Sequence, residues 1–306
     1  GEISPLSRMV HPEVAIITTV EPVHIEFFAS VAEIADAKAE IFDGLVPGGA
    51  AILPFDNPHF DRLESKARRL GARILTFGAR EGAWARLIDC QVAPHGNLVT
   101  AEVGGKRLRY HMAAPGRHLA LNSVAVLGAA FAFDLDLDHA LPAFDAVQAL
   151  KGRGKREALQ MAGGQIELID EGYNASPASV RAALNLLGTL PTAFGGRRIA
   201  VLGDMRELGA TAPQLHRDLA PDLSNAKVDL AFLVGPHMKG LYDLLPAAMK
   251  AAHRATSDEM VQTLLAALRP GDTVLIKGSL GTRMAPLVEA VRGLDATASK
   301  TAANGH

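Results

Sequence analysis

Leu168-Ile169-Asp170-Glu171-Gly172-Tyr173-Asn174-Ala175-Ser176-Pro177 reads as an apolar strand, Ile166 to Ile169, running into a polar turn and then a helix. Ser176 suits the N-cap of that helix and Pro177 its first position. Acidic, amide and phenolic side chains crowd the carboxyl end of the strand, where open α/β sheets usually bind ligands. Upstream, helices alternate with hairpin-like strands. Downstream, the chain becomes a βαβα repeat. The turn therefore stands at a junction of two folding units, a common place for a site. On these residues alone, an ordinary strand–turn–helix with a polar loop is the better reading.

Downstream, the pattern predicts helix 178–190, strand 198–203, helix 214–223, strand 230–234, helices 238–245 and 258–268, strand 273–276 and helix 282–292. The strands exit into Gly203-Asp204-Met205-Arg206-Glu207-Leu208-Gly209, Gly235-Pro236-His237 and Lys277-Gly278-Ser279. Alternating βα units imply a parallel, right-handed, Rossmann-like sheet. Each exit carries glycine or charge, so the carboxyl edge has the make-up of a ligand face. The small, polar residues Asp295 to His306 are expected to be a disordered tail.

Upstream, Val14 to Val20 reads as a strand buried on both faces, exiting into Glu21-Pro22-Val23-His24-Ile25-Glu26. Ser30 and Glu33 form a capping-box pattern that opens a helix over Val31 to Leu45. Its apolar face carries Ile34, Ala37, Ile41 and Phe42, and Lys38 interrupts that row. A lysine there is awkward unless its stem is buried and its head meets an anion or a modification. A snorkelling lysine is the better bet from pattern alone. Strands follow at 50–53 and 73–77, with the exit loop Pro54-Phe55-Asp56-Asn57-Pro58 and a helix over 58–70 between them. Alternating segments 86–92, 98–103 and 107–112, separated by His95-Gly96-Asn97 and Gly104-Gly105-Lys106, predict a small antiparallel meander. Pro115-Gly116-Arg117-His118 introduces a helix over 119–133, and a further helix is expected over 138–149. Lys151-Gly152-Arg153-Gly154-Lys155-Arg156 is either a solvated linker or a flexible arm that clamps phosphate.

The length of 306 residues suggests two domains. A hydrophobic content of 48% and a charged content of 21% are those of a soluble globular protein. The net charge of −2 gives no reason to expect nucleic acid or an anionic membrane as partner. Cys90, the only cysteine, cannot form an internal disulfide, which fits a reducing cytoplasm. No apolar run reaches the roughly 18 residues of a membrane span, and no signal-peptide pattern is present. Within these residues there is no Gly-x-x-x-x-Gly-Lys-[Ser/Thr] and no His-Glu-x-x-His or Gly-x-Ser-x-Gly, and the second domain has no Gly-x-Gly-x-x-Gly. The residues alone lead to a two-domain α/β protein with an anionic-ligand cleft between domains.

Taken together, the motifs resemble the Mur ligases. The likeness is carried by Val20-Glu21-Pro22-Val23-His24-Ile25-Glu26, Ala37-Lys38-Ala39-Glu40-Ile41, and Pro115-Gly116-Arg117-His118 with Asn122. It continues, in the family's order, through Ile169 to Pro177, Gly203-Asp204-Met205 with Glu207-Leu208-Gly209, and Lys277-Gly278-Ser279. The Gly-Asp-Met-x-Glu-Leu-Gly element points to the branch that adds D-alanyl-D-alanine. The resemblance implies an α/β chain with residues 1–156 as part of the central ATP-binding domain. That part has a mixed sheet, helices and the meander. Residues 157–294 form the C-terminal Rossmann-like domain and 295–306 the tail. Gly1-Glu2-Ile3 resembles the end of the family's Asn-x-x-Gly-Glu-Ile segment. The N-terminal domain and P-loop are therefore expected to lie outside this stretch.

The resemblance further implies an ATP-dependent acid–amino-acid ligase of bacterial peptidoglycan precursor synthesis, working in the cytoplasm with Mg²⁺. ATP would phosphorylate the terminal carboxylate of UDP-MurNAc-tripeptide, and the amine of D-Ala-D-Ala would displace phosphate. His24 matches a magnesium ligand, and Lys38 the lysine whose carbamate also holds magnesium. Asn122 matches an adenine contact. Arg153 or Arg156 should reach the γ-phosphate, with Arg156 preferred. Asp170, Tyr173 and Asn174 match an ATP-facing loop. Asp204, Glu207, Lys277 and Ser279 match the dipeptide side. Gly172 and Ser176 stand where the family usually has Ser and Asn, and Thr19, Pro54 and Leu119 where it often has asparagine. These departures bear on nucleotide contacts. Without a P-loop, the 306 residues by themselves are expected neither to hydrolyse ATP nor to ligate. The alternatives are another Mur-type ligase, or a noncatalytic nucleotide- or partner-binding module on the same scaffold. The diaminopimelate-adding branch should show Asp-Asn-Pro-Arg, which this sequence lacks.

Overall fold

The computed structural model describes residues 1–23, 25–93, 96–147, 151–192 and 195–303, in two units, Gly1–Val147 and Gln148–His306. The first unit contains α1 (Ile3–Val10), β1 (Val14–Ile16), α2 (Val31–Ala39), β2 (Ala50–Pro54), α3 (Phe60–Arg69) and β3 (Arg73–Gly78). It continues with β4 (Ala85–Ala93), β5 (Gly96–Val103), β6 (Lys106–Met112), α4 (Arg117–Ala132) and α5 (Leu137–Ala140). The strands form one six-stranded sheet in chain order, parallel from β1 to β4 and antiparallel from β4 to β6. The expected meander is thus an extension of the parallel sheet. Every residue of β2 is buried, as a strand covered on both faces requires. Ala51 and Leu53 pack with Ile34, Phe42 and Leu63 on one face, and Ile52 packs with Phe77, Val124 and Leu127 on the other.

Three expectations in this unit are corrected. β1 ends at Ile16, although Ile17 and Val20 further along the run remain buried. α2 ends at Ala39 and tightens into a 3₁₀ turn, Glu40–Gly44. That turn brings Gly44 against α1, where an added Cβ would lie 2.1 Å from the Ser7 carbonyl oxygen. The helix expected over 138–149 is the single turn α5 followed by a 3₁₀ segment, Leu141–Ala146. Pro142 lacks the amide that a continued α-helix needs. Residues 148–149 lie outside the described residues.

The second unit contains β7 (Lys155–Met161), β8 (Gly164–Glu171), α6 (Pro177–Thr189), β9 (Arg198–Gly203), α7 (Ala212–Arg217) and α8 (Ala220–Asn225). β10 (Leu230–Val234), α9 (Met238–Leu244), β11 (Lys250–Arg254), α10 (Ser257–Ala267), β12 (Thr273–Lys277) and α11 (Ala285–Ala303) follow. The strand order is β11-β10-β9-β12-β8-β7. All neighbours are parallel except the β7–β8 hairpin, so the expected parallel sheet carries an antiparallel edge.

Ser176 and Pro177 cap and open α6 as expected, and Ser179 reciprocates the Ser176 cap. The helix expected over 214–223 is broken into α7 and α8, with Pro221 in the first turn of α8. The basic stretch 151–156 is neither linker nor arm throughout. Its last two residues begin β7. The tail is also corrected. α11 runs to Ala303, and the Asp295 carboxylate accepts the Gln160 amide of β7 at 2.8 Å. Residues 304–306 lie outside the described residues.

Candidate functional site

In the first unit, Lys38 occupies the last turn of α2 and is half-buried. Ile34 and Phe42, four residues either side, are both buried. Among the described residues, nothing hydrogen-bonds or ion-pairs with the Lys38 ammonium. Burial without a counter-charge pushes its pKa down. His24 lies outside the described residues. The loop before it is tied down by Asn57, whose amide donates to the Val20 carbonyl at 3.0 Å and to Thr19 Oγ1 at 3.3 Å.

Asn122 stands on the second turn of α4, half-buried, and its side-chain amide has no partner among the described residues. The helix that carries it is set by Asn97, which is wholly buried. Asn97 Oδ1 accepts the Gly116 amide at 3.0 Å, and Nδ2 donates to the Ala114 and Gly116 carbonyls at 2.9 and 3.1 Å. Gly116 sits at φ 119°, which excludes an ordinary side chain. Sequence reasoning passed over Asn97 as a turn residue. Its only signal was the amide in His95-Gly96-Asn97.

In the second unit, the strand order places β12 between β8 and β9, although it follows them by a long stretch of chain. This is a topological switch point, and the three strand exits beside it carry the named residues. Asp170 does not face outward. It is buried, accepts the amides of Gly152 and Gly172 at 3.1 Å each, and pairs with Arg292 at 2.9 Å. The Gly154 amide donates to the Asp170 carbonyl at 2.8 Å, and the Tyr173 amide to the Gly152 carbonyl at 3.1 Å. These bonds lay turn 151–154 across the exit of β8. They leave the exposed Arg153 guanidinium 4.5 Å from the centre of the exposed Tyr173 ring. Arg156 Nε instead donates to Glu167 Oε1 at 2.8 Å across the β7–β8 hairpin. Asn174 is exposed, and its Oδ1 accepts the Ala175 amide.

Lys277 is buried, with its ammonium 3.0 Å from both Glu171 Oε2 and the Asn174 carbonyl. Ser279 Oγ accepts the Arg206 amide at 2.9 Å and contacts the Ala175 carbonyl at 3.3 Å. The two residues therefore stitch the β8 exit to the β12 exit, and Ser279 extends the stitching to the β9 exit. Asp204 is buried too. Its carboxylate accepts the amides of Met238 at 3.0 Å and His237 at 3.3 Å. His216 lies 3.9 Å from it, accepts the Met205 amide at Nε2 (2.9 Å), and donates from Nδ1 to the Ala212 carbonyl (2.6 Å). Those bonds require the neutral ring, and burial lowers the pKa of His216, outweighing the nearby Asp204. Glu207 is exposed in the left-handed region at φ 64°.

No group of three or more His, Cys, Asp or Glu side chains converges as a metal cage among the described residues. No helix among them is long and apolar enough to cross a membrane. Of the residues singled out from sequence, Lys38, Asn122, Arg153, Tyr173 and Asn174 keep reach. Asp170, Arg156, Asp204, Lys277 and Ser279 are engaged inside the fold.

The profile of the Mur ligase middle domain matches residues 1–130, and that of the Mur ligase, glutamate ligase domain matches residues 156–280. The UDP-N-acetylmuramoyl-tripeptide–D-alanyl-D-alanine ligase of Rickettsia prowazekii is 30% identical over 94% of this chain and 63% of its own length. The ligase of the same name from Escherichia coli K12 is 30% identical over 96% of the chain and 62% of its own length. Among solved structures, MurF from Acinetobacter baumannii superimposes with a TM-score of 0.84 at 26% identity, covering 95% of this chain and 62% of that one. The chain thus spans somewhat under two thirds of the relatives it matches.

Proposed function

The chain belongs to the Mur ligase family, and from that premise we propose that it is part of an ATP-dependent ligase that joins D-Ala-D-Ala to UDP-MurNAc-tripeptide. The observation that carries the branch is the run of tripeptide–D-alanyl-D-alanine ligases among its relatives, together with the Gly203-Asp204-Met205-Arg206-Glu207-Leu208-Gly209 exit of β9. The chemical problem is charge. A carboxylate must attack a polyphosphate, and an amine must then displace phosphate from the acyl phosphate. Cations have to gather where negative charge accumulates.

Arg153 is the better candidate for the γ-phosphate. Its guanidinium is exposed and lies over the Tyr173 ring, whereas Arg156 is engaged by Glu167. Asn122 has a side-chain amide, without a partner among the described residues, that suits the edge of adenine. Lys38 has the environment that carbamylation needs. A lowered pKa enlarges the fraction of neutral amine, which adds to carbon dioxide with loss of a proton and leaves a carbamate anion. That anion and His24 would hold Mg²⁺, whose contribution is to neutralise phosphate charge. Asp170, Lys277, Ser279 and Asp204 act by holding the strand exits in place. Substrates of this kind are made in the bacterial cytoplasm, and we place the protein there.

The test is a coupling assay on the longest protein that contains this chain, supplied with ATP, Mg²⁺ and UDP-MurNAc-tripeptide. Phosphate release that depends on D-Ala-D-Ala, and not on L-alanine, D-glutamate or diaminopimelate, supports the reading. Equal release with any of those amines contradicts it. The 306 residues alone are expected to release no phosphate above a mock preparation.

A further inference from the structure

α11 packs Leu287, Val288 and Val291 into the core of the second unit, and Arg292 follows them with a side chain only 16% exposed. Its guanidinium meets carboxylates from β7, β8 and α11 itself. Nε donates to Glu157 Oε1 at 2.8 Å, Nη1 to Glu289 Oε1 at 2.9 Å and Nη2 to Asp170 Oδ2 at 2.9 Å. The Asp295 carboxylate, on the next turn of the helix, accepts the Gln160 amide of β7 at 2.8 Å. The planar fork is therefore rooted at its base and fixed at its tip, a task that a lysine's single ammonium does not reproduce.

Asp170 passes that fixation to the backbone. Its Oδ2, bonded by Arg292, also accepts the Gly152 amide at 3.1 Å. The Gly152 carbonyl accepts the Tyr173 amide at 3.1 Å, and the Gly154 amide donates to the Asp170 carbonyl at 2.8 Å. Gly152 sits at φ 76°, and an added Cβ would lie 2.9 Å from Tyr173 Cβ, so the turn seats directly on Tyr173. Lys151 reaches Glu289 of α11 at 3.1 Å. Arg153 stands between the two glycines, its guanidinium 4.5 Å from the centre of the Tyr173 ring and without a hydrogen bond among the described residues. Removing the Arg292 charge would leave the Asp170 carboxylate, in a residue 2% exposed, with backbone amides as its remaining donors. A buried carboxylate without its cation is costly, and the turn that hangs on it loosens.

We propose that Arg292 is a positioning residue for recognition of the nucleotide's terminal phosphate, acting through Asp170 and the Gly152 backbone to aim Arg153. The proposal rests on the ligase reading, in which Arg153 meets the γ-phosphate. An arginine on a loose turn loses backbone and rotamer freedom when it binds phosphate. On a turn fixed beforehand, the backbone part has already been lost on folding. Arg292 itself is turned inward on its carboxylates.

The experiment measures, by calorimetry with Mg²⁺, the binding of ADP and of the non-hydrolysable triphosphate adenylyl imidodiphosphate to the intact ligase. Wild type, Arg153→Ala, Arg292→Met, Arg292→Lys and the Arg153→Ala/Arg292→Met double variant are compared. Arg153→Ala should weaken the triphosphate relative to ADP by about 10- to 100-fold, the range of a charged hydrogen bond. Arg292→Met should weaken it by about 10-fold, the low end of that range, with ADP unchanged. The double variant should bind no worse than Arg153→Ala, because both substitutions act on one contact. Arg292→Lys keeps a cation beside Asp170, serves if the methionine variant fails to fold, and should fall between wild type and Arg292→Met. Equal weakening of ADP and triphosphate in the Arg292 variants would mark a general loosening and overturn the proposal. So would a wild-type ratio in both, a further loss in the double variant, or no triphosphate binding by wild type. These titrations contain no acceptor amine, so a failure of the D-Ala-D-Ala requirement is seen separately, in the coupling assay.

Discussion

Two lysines separate the two units. Lys38 sits in the apolar row of α2, half-buried, with no counter-charge among the described residues. Lys277 ends β12 fully enclosed, bonded to Glu171 and to the Asn174 carbonyl. Both lie in segments that carry the family resemblance, yet their environments assign them opposite tasks. An ammonium that is buried and paired holds structure, and removing one partner is costly. An ammonium that is half-buried and lacks a counter-charge is costly to keep charged and is poised for reaction. The same contrast runs through the other motif residues. Asp170 and Asp204 accept backbone amides and act as braces, whereas Arg153 lies over an exposed ring and its guanidinium has no hydrogen bond among the described residues.

The contrast can be broken most forcefully at Asp170. Asp170→Asn leaves Arg292 and turn 151–154 without their shared anion, and should cost about 3 kcal/mol of stability in denaturant unfolding. An unchanged midpoint would remove Asp170 from the braces. Arg153→Ala should leave stability alone and lower kcat/KM about 10- to 100-fold through the nucleotide. Arg156→Ala should do the reverse, lowering the melting temperature with little effect on KM for ATP. Similar kinetic losses in both would erase the distinction drawn between them.

Asp204→Asn is expected to be milder, about 1–2 kcal/mol, because an asparagine Oδ1 can keep one of the two amides. The smallest effect is a pH dependence. Burial keeps His216 below the ordinary histidine range, so as pH falls below about 6.5 the unfolded chain binds the proton first. Its contribution to stability is present above that value and is lost as pH falls through the lower folded pKa. Asp204 and His237 face the ring, the first opposing the shift and the second adding to it. His216→Gln should flatten the fall in melting temperature between neutral and mildly acidic pH. An unaltered slope would assign that fall to other groups.

Local features were legible in the sequence, and distant ones were not. Ser176 announces its cap because the partners lie within one turn, and Lys38 stands out because a helical period exposes a misplaced charge. The bounds of β9 and β10 also follow from their apolar runs. β11, Lys-Ala-Ala-His-Arg, has no β-branched residue and gives no strand signal. The inward turn of Lys277 depends on Glu171, 106 residues away, and on a strand order in which β12 enters between β8 and β9. Which motif residues brace and which reach is decided by that topology, and no spacing rule reports it.

The most direct test pairs the two lysines. Lys38→Met and Lys277→Met are compared in the intact ligase by thermal melting and by D-Ala-D-Ala-dependent phosphate release. The account predicts that Lys277→Met lowers stability by about 3 kcal/mol, since Glu171 is left unpaired. Lys38→Met should melt at or above the wild-type temperature, because it removes a half-buried amine with no counter-charge among the described residues, and should abolish turnover. A Lys38→Met protein that still turns over, or a Lys277→Met protein as stable as wild type, would contradict it.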